Sequence, residues 1–354
     1  MAVGSGLGID SFVRFKKETA WGTRATTGFW TIPIVSENIQ LVLAELESQS
    51  ITSIPAPDAN IPGPRHVEGG INFQASYNLM DQFLYGIMGK VVDSTPATAT
   101  LTRDHWFELT TDQPSWTVEV NRGDVEHDND VHPYLGMLVS SLELTIPESG
   151  YVTGAATFLG KDDQYALTGV GSGLTASAQI ASDPFAPFYI PSHGPNSGSV
   201  TVAPAPDAGL YCVRQITVKI DRKLSQNGCI GSLTLNQPQP DQLVEVSGQF
   251  TVELKDENIY DSYVAFTEQT GNTFQLSSSI IEAALRYEFQ VKLNRMRWLA
   301  PSAPFIDRRG RLLIQANYKC FGGAGTGAIG TAGETSTKEP ISIRTRNQKA
   351  STLW

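Results

Sequence analysis

The densest cluster of side chains that could do chemistry is Asp124-Val125-Glu126-His127-Asp128-Asn129-Asp130-Val131-His132. Asp124, Glu126, Asp128 and Asp130 place carboxylates at alternate positions, as in an oxygen-rich loop that wraps a calcium ion. An EF-hand loop needs glycine at its sixth place and glutamate at its twelfth. Counted from Asp124, those places hold Asn129 and Leu135. The four acids are therefore weak metal candidates and read better as a solvated or interfacial acidic loop. The histidines His66, His105, His127, His132 and His193 form no HExxH pair and stand near no GxSxG serine. Gly325-Thr326-Gly327-Ala328-Ile329-Gly330 matches the glycine pattern of a dinucleotide loop. Such a loop needs a helix and a returning parallel strand after it, and the residues up to Trp354 have no helical pattern. Gly89-Lys90 and Gly160-Lys161 lack the flanking residues of a phosphate-binding P-loop. Cys212, Cys229 and Cys320 contain no CxxC pair, which argues against a disulfide framework or a zinc site and points to a reducing compartment. No catalytic residue, cofactor or metal is expected, and the chain reads as a non-enzyme.

The elements that would position any site are β-strands. Among 354 residues, 32 are glycine and 20 are proline, the punctuation of a turn-rich β protein. Charged residues make up 18%, too few for a disordered chain, and the length implies about two domains. The net charge of −10 argues against a basic surface that clamps nucleic acid. The basic stretches Arg295-Met296-Arg297 and Arg308-Arg309-Gly310-Arg311 suit pairing with an acidic surface on a neighbouring copy better. The first eight residues have no basic region followed by an apolar run, so no secretory signal is expected. No apolar run approaches the length of a membrane span.

Alternation of apolar and polar residues predicts strands at Phe12–Glu18, Phe29–Ile34, Ile39–Leu43, Val67–Ala75, Trp116–Val120, Met137–Ile146 and Tyr151–Phe158. Asn78 is placed to cap a helix carrying Leu79, Met80, Phe83, Leu84, Ile87 and Met88, with Gly89 as its stop. The second half repeats this order. Val67, Gly69, Ile71, Phe73 and Ala75 fall on Val246, Gly248, Phe250, Val252 and Leu254 at one constant offset. With one further residue inserted, Asn78-Leu79-Met80-Asp81 falls on Asn258-Ile259-Tyr260-Asp261, and Asp256 is the expected cap of the second helix. Trp116–Val120 resembles Tyr287–Val291. The expected divisions are 1–165 with an N-terminal arm, a Gly/Ser/Pro-rich connector over 166–209, a second domain over 210–321, and a Gly-rich C-terminal arm over 322–354. Pro340–Arg346 has the composition of a strand that joins a neighbour's sheet edge. The long polar loop Ser53–Pro64 is expected to contact a partner.

Lys16-Lys17-Glu18-Thr19-Ala20-Trp21-Gly22-Thr23, Ser36-Glu37-Asn38-Ile39, Gly69-Gly70-Ile71-Asn72-Phe73 and Leu84-Tyr85-Gly86-Ile87-Met88-Gly89 resemble the tail tube proteins of long-tailed bacteriophages. The resemblance covers most of residues 10–160, and the repeat extends it to the second half. It implies a mostly β chain with two β-sandwich tube domains. Each is flanked by one helix, and inner strands form a shared β-barrel on oligomerisation. It implies a structural virion protein, assembled in the host cytoplasm, that polymerises as stacked rings into a tail tube for DNA ejection. The implied partners are other copies of the chain, the tail terminator, tape measure and distal tail proteins, and transient DNA, with no membrane. Two domains per chain make a homotrimer with a pseudo-six-fold ring the expected unit, and a hexamer the alternative. Asp124, Glu126, Asp128 and Asp130 would then face the lumen or a contact between rings. A sheath or decoration protein is the competing structural reading, and a calcium-dependent β-sandwich binding module using the acidic loop is the competing binding reading.

Overall fold

The computed structural model describes residues 11–47, 60–96, 99–122, 131–164, 178–179, 188–192, 198–205, 211–300, 304–306, 312–322 and 339–349. The first half runs β1 (Phe12–Lys17), β2 (Thr27–Ile32), β3 (Ser36–Glu37), β4 (Gln40–Glu47), β5 (Asn60–Gln74), α1 (Asp81–Met88), β6 (Gly89–Ser94), β7 (Arg103–Leu109), β8 (Trp116–Asn121), β9 (Val131–Ile146), β10 (Thr153–Gly160) and β11 (Asp162–Asp163). Two short strands, β12 (Ala178–Gln179) and β13 (Ser199–Thr201), lie in the connector. The second half runs β14 (Val213–Asp221), β15 (Leu224–Ser225), β16 (Gln239–Pro240), β17 (Glu245–Glu253), α2 (Asn258–Val264), β18 (Asn272–Glu282), β19 (Leu285–Leu293), β20 (Met296–Leu299), β21 (Pro304–Ile306), β22 (Leu312–Cys320) and β23 (Ile341–Asn347). Among the described residues the chain is mostly β, with two helices and several antiparallel sheets consistent with β-sandwich domains, none of them closed.

Period-two alternation builds the strands. In β17, Val246, Phe250 and Val252 are buried, while Ser247, Gln249 and Thr251 between them are half-exposed. The larger sheet contains the run β4-β5-β10-β9-β14-β17-β22-β20. The 16-residue β9 joins two layers of pairing, because its first half pairs β8 and its second half pairs β10 and β14. A six-stranded sheet, β13-β18-β19-β23-β7-β6, supplies the opposing layer. Both sheets feed one buried apolar cluster, in which Phe73 stacks on Phe83 and Phe250 meets Trp298 and Tyr318.

Helix α1 is buried on nearly every side, as a helix inside a core must be when apolar residues surround it. Gly89 ends it in the left-handed region at φ 94°, as the sequence predicts. The expected Asn78 cap is not formed: helix α1 starts at Asp81, and the Asn78 side-chain oxygen accepts the Phe188 amide instead. In the second half, Asp256 does accept the amide of Asn258, the first residue of α2.

The repeat read from sequence reappears in the strand register, but the helices do not follow it: α1 starts at Asp81 and α2 at Asn258, so the expected match of Asn78–Asp81 to Asn258–Asp261 is corrected. Leu41 pairs with Val67, and carrying both forward by the offset that takes Val67 to Val246 gives Ile220 and Val246, which also pair. Gly69 and Gly248, related by the same offset, each lie against the neighbouring strand. A Cβ on Gly69 would meet the Asn38 carbonyl, and one on Gly248 would meet the carbonyl of Thr217, the residue that the offset matches to Asn38. The two halves share the order strand, strand, helix, hairpin, with β6–β7 and β18–β19 as the hairpins in the second sheet. The expected match of Trp116–Val120 to Tyr287–Val291 is corrected by this order. The first segment is β8 of the larger sheet, the second is β19, and the place of β19 corresponds to that of β7.

The strand predicted at Pro340–Arg346 exists as β23. It lies within this chain's own sheet, paired on one side with β19 and on the other with β7. Described parts of the connector are likewise stitched in: Ile190 is buried and its amide donates to the Ala75 carbonyl. Of the loop expected over Ser53–Pro64, residues 60–64 are instead the start of β5, paired with β4, which corrects that expectation; residues 53–59 and the glycine-rich segment 323–338 lie outside the described residues.

Candidate functional site

The surface with the most distinctive chemistry is the outer face of the eight-strand run. Its inner face packs on the core. Its outer face presents Glu68, Gly70 and Asn72 from β5, Ala155 and Thr157 from β10, and Ser141, Glu143 and Thr145 from β9. It continues with Thr217 and Lys219 from β14, Ser247 and Gln249 from β17, and Asn317 and Lys319 from β22. A shallow hollow of about 770 Å³ lies over β5 and β10, lined by Glu37, Asn38, Glu68, Gly70, Asn72 and Thr157 among others.

Hydroxyls and amides on this face bond to one another. Ser141 donates to Thr157 at 3.1 Å, Gln315 donates to Gln249 at 2.7 Å, and Gln249 donates to Asn317 at 2.7 Å. Charges are paired across strands: Lys319 and Lys223 lie 3.0 and 3.4 Å from Glu245, and Lys223 lies 2.8 Å from Asp221. Lys319 bonding to the Glu245 carboxylate holds that carboxyl below its ordinary range. Partial burial pulls Asp221 upward, but Lys223 outweighs it and the group lies below its usual value. Such a face has hydrogen-bonding capacity and paired ions, and offers no excess of positive charge to hold a polyanion.

The Lys16–Thr23 motif turns out to be a clasp. The buried Glu18 carboxylate accepts from the Gly22 amide at 2.8 Å, Ser115 Oγ at 2.8 Å, Thr117 Oγ1 at 3.1 Å and the Gly136 amide at 2.9 Å. Trp21 Nε1 donates to the Gly136 carbonyl, and Lys161 lies over the indole ring. Lys17 donates to Tyr85 on α1. The motif thus ties the end of β1 to β8, β9 and α1, and its conspicuous residue types serve the fold.

Asp124, Glu126, Asp128 and Asp130 lie outside the described residues, in the connection from β8 to β9. At its base, Arg122 bonds Glu37 at 2.8 and 3.1 Å, Tyr134 and the Ile39 carbonyl. Burial lowers the Arg122 guanidinium, but Glu37 and Tyr134 outweigh it and raise the group above its usual value. Among the described residues no group of three or more His, Cys, Asp or Glu could hold a metal ion.

The other chemical candidates are scattered. His66 faces Gln226 and Glu68, His132 faces Asp163 at 2.9 Å, and His105 is buried between Asp93 and Asn347. His127, His193 and Gly325–Gly330 lie outside the described residues. The strand before Gly325 is β22, which pairs antiparallel with β17, β20 and β21, so the parallel frame of a dinucleotide fold is not there. Burial pushes the Cys320 thiol well above its ordinary value, which makes it a poor nucleophile. Arg295 and Arg297, expected to seek acids on another copy, both bond Glu268 of their own chain, at 2.6 and 2.7 Å. Arg308–Arg311 lies outside the described residues.

A feature that sequence reasoning missed is a set of uncovered apolar side chains. Leu43 and Leu46 on β4, Ile61 on β5, and Val264 and Phe266 at the end of α2 are all exposed. The signal was present in Leu41-Val42-Leu43-Ala44, an apolar run without alternation, which marks a strand covered on both faces.

Among the described residues no helix is long and apolar enough to cross a membrane. A family model described as phage tail tube protein matches residues 8–320. No curated protein matches the chain.

Proposed function

This chain belongs to the phage tail tube protein family, a structural family of the virion tail, and from that premise we propose that three copies close into a pseudo-six-fold ring. Rings stack into the tube through which DNA leaves the virion. The observation that carries the reading is the repeated register: each half supplies four adjacent strands, and the pair Leu41–Val67 recurs as Ile220–Val246. One chain already supplies what two single-domain copies would. Three chains contribute three times eight strands, and at about 4.8 Å per strand a closed barrel has a backbone bore of roughly 37 Å or more. That leaves room for a duplex inside the lining side chains.

The outer face of the eight-strand run is the lumen wall in this reading. Its hydroxyls, amides and paired ions suit passage, because an unpaired basic lining would bind phosphates and retain the DNA. A ring of three carries about three times −10 in net charge, which adds long-range repulsion. Asp124, Glu126, Asp128 and Asp130 face the lumen or the next ring. Of the segments expected to contact partners, 53–59 from the Ser53–Pro64 stretch and the part of the 322–354 arm that precedes β23 make contacts between rings, and the tube ends meet terminator, tape measure and distal tail proteins. Assembly takes place in the host cytoplasm.

Negative-stain electron microscopy of the purified protein, with its solution mass measured alongside, tests this. Stacked rings with a central hole built from trimers are expected. Six copies per ring would keep the tube and overturn the two-domain argument. A monomer that never stacks at high concentration would overturn both.

A further inference from the structure

We propose that Asn227 is a modification site, at which the chain deamidates without an enzyme and an exposed loop residue becomes isoaspartate or aspartate. Asn227-Gly228 is the one Asn-Gly pair in the 354 residues. It lies in the excursion between β15 and β16, where residues 226–231 are all exposed. Deamidation makes three demands on the fold. The main-chain nitrogen after the asparagine must be free, the carboxamide must be free to turn toward it, and the space around both must be open. Among the described residues the Gly228 amide donates to no acceptor, and the Asn227 carboxamide has no hydrogen-bond partner. A Cβ on Gly228 would meet only Leu235 Cδ2, at 3.9 Å, and glycine carries no side chain to shield its own nitrogen. Elsewhere the fold withholds these conditions. At Asn38 the carboxamide oxygen accepts the Gly70 amide at 2.6 Å, and the following Ile39 amide donates to Glu37 at 2.9 Å.

Hydroxide takes the proton from the Gly228 nitrogen, which attacks Asn227 Cγ. A bond forms between them, the Cγ–Nδ2 bond breaks, and Nδ2 leaves as ammonia. Water then opens the resulting succinimide ring. Opening at the former side-chain carbonyl gives aspartate. Opening at the main-chain carbonyl gives isoaspartate, in which the chain runs through Cγ. Water is the only co-reactant, and nothing is oxidised or reduced. Either product carries a carboxylate where Asn227 carried none, which makes an acidic chain more acidic. The isoaspartate also changes the loop itself. The Asn227 carbonyl accepts the Asn236 amide at 2.8 Å and closes the loop at its base. In isoaspartate that carbonyl carbon becomes a carboxylate outside the main chain, and the chain grows by one carbon. The same loop is stitched to the first half. Gln226 faces His66 at 3.1 Å, and the Leu233 carbonyl accepts the Arg65 amide at 2.8 Å. The modification therefore loosens a contact between the two halves.

The test is mass spectrometry of the purified full-length protein, aged in mildly alkaline buffer made with heavy-oxygen water. The peptide that holds Asn227 should gain the mass of an amide-to-acid exchange plus that of one heavy oxygen. Fragmentation should place the change at Asn227 rather than Asn236, and an isoaspartyl methyltransferase should methylate the product. The rate should lie within about tenfold of that in a synthetic peptide spanning 224–235, the factor that ordering one residue's backbone imposes. Asn227→Gln should remove the signal, and Gly228→Val should slow it, because a β-branched side chain shields the attacking nitrogen. Both variants change exposed residues and should keep the wild-type circular dichroism. In aged wild type the Arg65 amide should exchange its hydrogen faster than in aged Asn227→Gln. Conversion in the peptide with none at Asn227 of the folded chain would overturn the site, as would equal conversion at Asn38. Equal exchange at Arg65 in the two aged proteins would overturn its effect on the contact between the halves.

Discussion

Two strand glycines give the sharpest test of the packing. Gly248 lies in a central strand between β14 and β22, with the Tyr318 ring across it and the Tyr318 hydroxyl donating to the Thr217 carbonyl at 3.0 Å. A Cβ there would fall inside the contact radius of Thr217 O and 2.5 Å from the Tyr318 hydroxyl. At Gly69, a Cβ would lie 2.5 Å from both Asn38 O and Ile39 Cα, with φ at +146°. Neither clash is with a flexible side-chain end alone, so the strand itself must move. Overpacking of this kind costs about 1–3 kcal/mol. The loss of one or two ladder bonds adds about 1 kcal/mol each. Gly248→Ala and Gly69→Ala are therefore each expected to destabilise by about 3 kcal/mol. For a chain of this size, with a urea slope near about 3 kcal/mol/M, the midpoint should drop by about 1 M. Gly228→Ala is the control, because its nearest neighbour would be Leu235 Cδ2 at 3.9 Å, and its effect should stay within about 0.5 kcal/mol. The measurement is equilibrium urea unfolding of unassembled protein, followed by tryptophan fluorescence. A midpoint within about 0.3 M of wild type for either strand variant would refute the close strand approach and the equivalence of the two glycines.

Three further outcomes are expected. Arg222 is fully buried, and burial draws its guanidinium down to about 10, so it stays charged at neutral pH. Arg222→Met strands the Ile87 and Thr110 carbonyls and leaves the Met88 carbonyl with the Thr110 amide alone, and should cost about 3–5 kcal/mol, read as a fall in thermal midpoint. Glu18→Gln places an amide NH₂ where two of four donors point, and should cost about 2 kcal/mol in the same scan. Desolvation pulls the Glu282 carboxyl up, but donors from Thr100 and Thr102 outweigh it and hold the group at about 2. A carboxyl depressed in the fold stabilises it above the ordinary carboxylate range and loses that contribution as pH falls from about 4.5 to about 2. Hydrogen exchange at Thr100–Thr102 should therefore differ between wild type and Glu282→Gln near pH 6 and converge near pH 2.

Much of the fold was legible in the chain's own alternation. Val246, Phe250 and Val252 announce a half-buried strand because their side chains must all leave the pleat on one side. The repeat was legible because Gly69 and Gly248 each serve a close strand approach that no larger residue fits. The absence of chemical motifs followed from residue types alone, since no spacing of His, Cys or carboxylates met the demands of a known centre.

Tertiary structure decided the rest. Alternation says which residues face inward, but not which strand lies alongside. The insertion of β23 between β7 and β19 brings a strand from near the C-terminus against one from the first half, and so could not be read locally. The same reason misplaced Trp116–Val120 against Tyr287–Val291: both are alternating strands, and only the ladder assigns them to different sheets. Nothing local in the Lys16–Thr23 motif marks Glu18 as buried: beside the nearby Gly22 amide, three donors from distant segments close on it only in the fold. The exposure of Leu43, Val264 and Phe266 is likewise a property of the folded chain, because an apolar side chain reveals a missing neighbour only once all its other neighbours are in place.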